Sequence, residues 1–409
     1  MTESLPSAAP EALGLDPERL ARISRWMRNY TETGKLAGVS VALIRDGHVA
    51  FRDSCGYQDV VAQVPMSNDT LVRIYSMTKP LTTVAALMLY EQGLFQLDDP
   101  VTRFIPEFSD LQVWTSGAGD AMQTCSASRP FTIRELMNHT SGLTYGFINA
   151  TPVDALYREQ GLDFQTADKP LAELVAQLAQ MPLLAQPGTE WNYSVSTDVL
   201  GYLVELWSGQ DLQTFLHEHV FAPLGMQDTG FHVPEDKWSR FAANYCQGRD
   251  GNLKQIDAGA GGGRYAQPAV TFSGGGGLVS SINDYLRFAQ MMLNEGSLDG
   301  HRLLSRKTVE LMTSNHLPGD MAAMGQPRFS ESSYEGIGFG LGFSVMLDPA
   351  VAQVIGSPGE FAWGGAASTA FWIDPQENQA VVFFTQFMPS SHYPLRRELR
   401  VLSYQAIAD

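Results

Sequence analysis

The segments of this chain that read as β-strand lie near its two ends, so a sheet built from them must join the amino-terminal and carboxy-terminal parts of the chain. GVSVALI (38–44) and HVAFRDS (48–54) flank Arg45-Asp46-Gly47. Two β-rich runs around an Asp-Gly spell a hairpin. Further on, GLGFSVML (340–347), GGAASTAFWI (364–373) and QAVVFFTQF (379–387) are three more strand candidates, separated by Asp-Pro turns at 348–349 and 374–375. Asp16-Pro17-Glu18 has the form of a helix start: an N-cap, a proline at the first helical position and an acid in the first turn. Leu20, Ile23, Met27 and Tyr30 then recur at helical spacing, and Gly34 ends the run. A last amphipathic segment, Leu395 to Ile407, also reads as helix. The expected fold class is mixed α/β, one sheet from both ends flanked by helices, with a mainly helical region inserted at about 80 to 270.

Composition narrows the function. Hydrophobic residues make up 44% of the 409 and charged ones 17%, enough to fill a sizeable core. The formal net charge of -17 repels phosphate backbones and anionic headgroups, so neither nucleic acid nor a membrane surface is an expected partner. No stretch of about 18 apolar residues is present, and MTESLPSAAPEALGLDPERL lacks a basic then apolar leader, so the expected address is cytoplasmic. Three cysteines, Cys55, Cys125 and Cys246, lie far apart without a CxxC and read as free thiols. His217 and His219 fall two apart on a helical pattern, on different faces, and no other cluster has metal-ligand spacing. The glycine-rich loops 259–263 and 273–277 do not match GxGxxG or a phosphate loop and read as tight turns or close backbone approaches. No metal or cofactor is expected.

The chemistry points elsewhere. Ser76-Met77-Thr78-Lys79 stands immediately before Pro80 and the apolar run 81–90, which Gly93 ends. Proline is tolerated only near a helix start, which puts Ser76 at or just before the first turn. Lys79, three residues on, emerges on the same face. A serine hydroxyl is a poor nucleophile at neutral pH and needs an adjacent base. A lysine under a partly buried roof at the positive end of a helix loses its proton more readily. The same helix end offers N–H groups to an oxyanion. SxxK arises by chance roughly once or twice in a chain this long, so its place at the start of the most apolar helix carries the weight. Tyr193 follows the turn-rich loop from Gln186, where a phenol can point into a cleft, and Trp363-Gly364-Gly365-Ala366 opens a strand candidate. Glycines there mark a bulge or a backbone approached closely by a ligand.

With these residues in view, the chain resembles the family VIII carboxylesterases, relatives of class C β-lactamases and D-alanyl-D-alanine peptidases. The likeness runs from about residue 15 to 405. It rests on Ser76-Met77-Thr78-Lys79, Glu91 to Val101, His139-Thr140-Ser141-Gly142-Leu143, Pro187-Gly188-Thr189, Tyr193-Ser194-Val195, Pro223-Leu224-Gly225-Met226, Gly338 to Gly342 and Trp363-Gly364-Gly365. It implies a β-lactamase/transpeptidase-like fold with an antiparallel sheet. Residues 1–409 would be one catalytic domain, with 1–79 plus 271–409 as the sheet region and 80–270 as the helical region. It also implies roles. Ser76 attacks the carbonyl of a small, short-acyl ester, and Lys79 and Tyr193 share the proton. The N–H groups of Ser76 and Ala366 hold the oxyanion, and Trp363, Gly364, Gly365 and Val195 touch the substrate.

Two departures from the β-lactamase pattern shift the expectation toward esters. Trp363-Gly364-Gly365 stands where those enzymes carry Lys-Thr-Gly, which removes the cation that pairs with a β-lactam carboxylate. Tyr193-Ser194-Val195 stands where they carry Tyr-Ala-Asn, which removes an amide. Cephalosporin hydrolysis is expected only as a side activity. The rivals are an acyltransferase, a peptidase or β-lactamase on the same scaffold, and a non-catalytic penicillin-recognising module. No GxSxG occurs, so a nucleophile elbow is not available. His139 is expected to serve a structural hydrogen bond. Loops 110–130, 144–170 and 315–335 are expected to shape the pocket.

Overall fold

The computed structural model describes residues 4–325, 328–329 and 332–409. Part of the expected pocket loop 315–335, at residues 326–327 and 330–331, lies outside the described residues. The helices that position the site are α1 (Pro17–Glu32), α2 (Thr78–Glu91), α3 (Ser196–Ser208), α4 (Ile282–Leu293) and α5 (Leu395–Tyr404). As its sequence dictates, α1 begins where the Asp16 carboxylate accepts from the N–H groups of Glu18 and Arg19, and it buries Leu20, Ile23, Met27 and Tyr30.

The main sheet contains β1 (Gly38–Arg45), β2 (His48–Asp59), β3 (Val64–Pro65), β4 (Ile337–Phe339), β5 (Ser344–Met346), β6 (Phe361–Gly364), β7 (Ala370–Asp374) and β8 (Gln379–Thr385). Their order across it is β4-β5-β6-β7-β8-β1-β2-β3, each pair antiparallel. Asp46 and Gly47 turn the β1–β2 hairpin with φ of 51° and 77°, the left-handed pair that a two-residue turn of this hand needs. On its other side β1 lies beside β8, with Val41 opposite Phe383.

Two of the carboxy-terminal strand candidates break where the sequence reading ran them straight. The run 340–347 contains a reversal at 340–343 between β4 and β5. The run 364–373 contains the loop between β6 and β7, with Ser368 at φ 66°. Gly340 and Gly342 belong to the first reversal and Gly365 to the second, while Gly364 ends β6. In the third, β8 stops at Thr385, and Phe387–Met388 pairs instead with Asn244–Gln247.

Side-chain alternation divides the core. Val39, Val41, Leu43, Trp372, Val381 and Phe383 face α1 and α5. Ala42, Ile44, Phe371, Val382 and Phe384 point the other way, into the larger core with α2, α3 and α4. Every residue of α2 from Thr78 to Leu87 is buried, including the polar Thr78, Lys79, Thr82 and Thr83. Among the described residues no helix is long and apolar enough to cross a membrane, and the three cysteines are free thiols.

The carboxy-terminal helix is tied down by a buried polar group. Arg400 of α5 forms an ion pair with Glu360, and the Tyr404 hydroxyl lies 2.6 Å from Glu360 Oε2 and 2.7 Å from Asp374 Oδ2. Removing one partner of a buried pair strands the other charge. Glu360→Ala is therefore expected to lower the unfolding free energy by about 3–5 kcal/mol. Urea unfolding read by tryptophan fluorescence checks this; a loss below about 1 kcal/mol would show that Arg400 finds water instead.

Candidate active site

Each site group is placed by the element that carries it. The short strand Leu71–Arg73 pairs with Val279–Ser281, and the chain then turns through Tyr75, a non-glycine residue held at φ 44°. That conformation costs energy and persists only where packing enforces it. It delivers Ser76 into a single turn, Tyr75–Met77, that runs directly into α2. The turn is held from below by the Tyr285 hydroxyl, which donates to the Met77 carbonyl at 2.9 Å.

Lys79 is fully buried. Its Nζ donates to Ser76 Oγ at 3.2 Å and to the Gly275 carbonyl at 2.6 Å. It also lies 4.6 Å from the ring centroid of Tyr193 and 5.3 Å from that of Tyr145. The amine is thus enclosed by a hydroxyl, a carbonyl oxygen and two ring faces. The Gly275 N–H in turn donates to Asp198 Oδ1 at 3.0 Å, as the Ser273 hydroxyl does at 2.6 Å. Asp198, on the first turn of α3, is buried, and burial raises its carboxyl to about 6 against the pull of Lys79, Ser273 and Gly275. Asp198 Oδ2 and the Tyr145 hydroxyl have no hydrogen-bond partner among the described residues. A side chain on Gly275 would run into both, so the backbone there needs glycine.

Tyr193 is buried on the loop leading into α3, and its hydroxyl accepts from Trp363 Nε1 at 3.3 Å. His139 packs edge-on to its ring at 5.1 Å between centroids, and His139 Nδ1 lies 3.1 Å from Ser194 Oγ. Burial, with help from the Lys79 charge, pushes the His139 imidazole well below its usual range, so it stays neutral. Its contacts are those of a packing group behind Tyr193.

The fourth element is β6 and the loop after it. A Cβ on Gly365 would collide with the Ile74 carbonyl, so only glycine lets this strand end lie against the turn that carries Ser76. Ser76, Tyr193, Trp363, Gly364, Gly365 and Ala366 thereby line one cavity of about 470 Å³. Its outer wall includes Phe147, Tyr334, Ile337 and Met346. Loops 144–170 and 315–335 contribute to it, whereas none of its lining residues comes from 110–130.

One expected substrate contact lies elsewhere. Val195 is fully buried, and its N–H donates to the Thr144 carbonyl at 3.2 Å while its own carbonyl starts α3. It belongs to the core and not to the cavity wall, because an N-cap position turns the chain inward ahead of the helix. His217 and His219 part as expected: His217 borders a separate cavity, and the His219 ring packs on Phe215 at 4.5 Å. Sequence reasoning missed Tyr145, Asp198 and the Gly275 carbonyl. The run of four glycines at 274–277 was their signal, since each marks a place where side chains would obstruct a neighbour.

Comparison with known proteins follows the same lines. Residues 23–405 match the Beta-lactamase family. The chain is 36% identical over 373 residues to Protein Rv1367c of Mycobacterium tuberculosis, covering 89% of each. It is 32% identical over 397 residues to Esterase EstB of Burkholderia gladioli, covering 93% of each. Among solved structures it superposes on EstCE1, described as a hydrolase with promiscuous acyltransferase activity, with a TM-score of 0.78 and 27% identity over 96% of this chain and 99% of that one.

The buried Asp198 carboxyl generates a test. Its folded-state value of about 6 exceeds the ordinary carboxylate value of about 4, so between these pH values the folded protein holds a proton that the unfolded chain has lost. Its contribution to stability is complete below about pH 4 and is lost as pH rises through about 6. Asp198→Asn cannot titrate. The variant's stability relative to the parent is expected to rise by up to about 3 kcal/mol across that window. Urea unfolding at constant ionic strength measures the difference, and a pH-independent difference would mean the carboxyl titrates normally.

Proposed function

The chain belongs to the Beta-lactamase family, and from that premise we propose that it is a serine esterase that hydrolyses small, short-acyl carboxylic esters through an acyl-enzyme on Ser76. The observation that carries the reading is the grouping of Ser76 Oγ with the Lys79 amine at 3.2 Å and the Tyr193 ring 4.6 Å from that amine, Ser76 and Tyr193 both lining a largely apolar cavity. The 32% identity to Esterase EstB over nearly the whole chain supports it.

The steps follow from the groups present. Ser76 Oγ attacks the ester carbonyl carbon as its proton passes to the Tyr193–Lys79 pair. The carbonyl oxygen takes the negative charge and is held by the N–H groups of Ser76 and Ala366. The carbon–oxygen bond to the alcohol breaks, and the proton held by the pair goes to the leaving oxygen. Water then attacks the acyl carbon and gives a proton to the same pair. Ser76 Oγ leaves, takes the proton back, and the acid departs. The Trp363 indole N–H supports this chemistry by donating to the phenol oxygen, which fixes the side chain in place. Residues 1–409 act in this reading as one catalytic domain, because Ser76, Gly275 and Trp363 come from the sheet region while Tyr193 and Asp198 come from the helical one.

Esters are favoured over β-lactams because the strand beside Ser76 presents an indole and two glycines. The three arginines of the cavity wall already have partners: Arg396 main-chain carbonyls, Arg397 the Gln353 carbonyl and Arg400 Glu360. Acyl transfer to an alcohol is a second reading. The acyltransferase activity described for EstCE1 supports it, and so does a cavity with room for an acceptor beside the acyl group.

Ser76→Ala is expected to reduce kcat on p-nitrophenyl butyrate by at least about a thousandfold, and Tyr193→Phe by about a hundredfold or more. Intact mass should show one adduct with a serine-directed phosphonate in the parent and none in Ser76→Ala. Faster turnover of nitrocefin than of the butyrate ester would reverse the order of activities. Adding an alcohol and weighing transester against free acid separates transfer from hydrolysis.

A further inference from the structure

We infer that Arg396 is a positioning residue for the oxyanion site: its guanidinium grips the carbonyl of the same peptide whose N–H, at Ala366, faces the developing negative charge. The inference rests on the esterase reading above and concerns a residue outside its reacting groups.

Three observations carry it. Arg396 Nη2 donates to the Gly365 carbonyl at 3.0 Å and to the Thr369 carbonyl at 3.1 Å. It thereby clamps both ends of the loop between β6 and β7, where the Gly365 N–H also reaches Thr369 O at 2.9 Å. The Gly365 carbonyl receives a second hydrogen bond, from Ser368 N–H at 3.1 Å, so its direction is fixed from two sides. Finally, a Cβ built on Gly364 would lie 2.7 Å from both Cζ and Nη2 of Arg396. Two adjacent glycines therefore have two different reasons. Gly365 admits the Ser76 turn, and Gly364 admits the guanidinium.

The physical consequence comes from the planarity of the amide. Gly365 C=O and Ala366 N–H share one rigid plane and point in opposite directions. Fixing the oxygen fixes the hydrogen, and the donor needs no reorganisation as the oxyanion forms. A cation on the carbonyl oxygen also draws electron density through the amide and strengthens the N–H as a donor. Both bonds leave one nitrogen of the planar guanidinium, whose two N–H groups diverge toward the two carbonyls. No substrate contact by Arg396 is required.

The test compares Arg396→Gln and Arg396→Lys with the parent on p-nitrophenyl butyrate and with a p-nitrophenyl alkylphosphonate, whose phosphoryl oxygen occupies the oxyanion position. Losing a direct oxyanion donor costs about 10²–10³ in kcat, so a residue acting through the donor is expected to cost about tenfold to fiftyfold. In Arg396→Gln, kcat and the phosphonate inactivation rate should fall by the same factor while KM stays within about twofold. Arg396→Lys, which keeps the charge and one hydrogen bond, should recover part of both rates. The lysine variant also supplies the measurement if the glutamine variant does not fold. The inference is overturned if both rates stay within twofold of the parent. It is equally overturned if KM rises only for esters bearing a carboxylate, which would make Arg396 a substrate anchor. Ser76→Ala, run alongside, separates the two claims. Residual activity there defeats the esterase mechanism itself, whereas an inert Ser76→Ala with a fully active Arg396→Gln defeats only the positioning role.

Discussion

A buried lysine is the constraint around which this molecule is arranged. An amine cannot lie in an apolar core unless nearby polar atoms replace the water it has lost. Lys79 begins a helix buried along nearly its whole length, and its compensation comes from distant parts of the chain. A carbonyl comes from Gly275, two aromatic faces from Tyr145 and Tyr193, and a nearby carboxyl from Asp198. Gathering these groups also gathers the ones we propose to be catalytic, because the tyrosine that packs on the Lys79 amine lines the same cavity as Ser76. Stabilising the core and preparing the nucleophile are one arrangement.

The glycines around the site follow from the same need for proximity. Gly275 lies against Asp198 and Tyr145, Gly365 against the turn before Ser76, and Gly364 against Arg396. Each trades local stability for an approach that a methyl group would block. The strain at Tyr75 is of the same kind: an unfavourable backbone angle kept because the pairing before it and α2 after it leave no alternative.

Much of this was legible before any coordinates. The cap at Asp16 and the Asp46-Gly47 turn were readable because each uses a residue chosen for a local backbone requirement. Ser76 and Lys79 were readable because a helix fixes the relation between residues three apart. The reversal at 365–369 was not, since Gly-Ala-Ala-Ser-Thr carries no proline or asparagine to announce a turn. Arg396 was invisible for a different reason: its partners are main-chain carbonyls 27 and 31 residues away, which have no sequence signature. Asp198 looks like an ordinary acid in a first helical turn, and only the fold turns it inward toward Gly275. Val195 shows the converse limit. A motif position suggested a wall of the pocket, and packing placed it in the core.

The position of β1 has a consequence for how the protein comes into being. Val39 is paired on one side with Cys55, a neighbour in the chain, and on the other with Thr385, from the far side of the helical region. During synthesis the β1–β2 hairpin must therefore wait, one edge bare and able to bind a stranger, until β8 has left the ribosome. Contacts that span so much chain form slowly, and chaperone protection of that open edge would matter most in this interval.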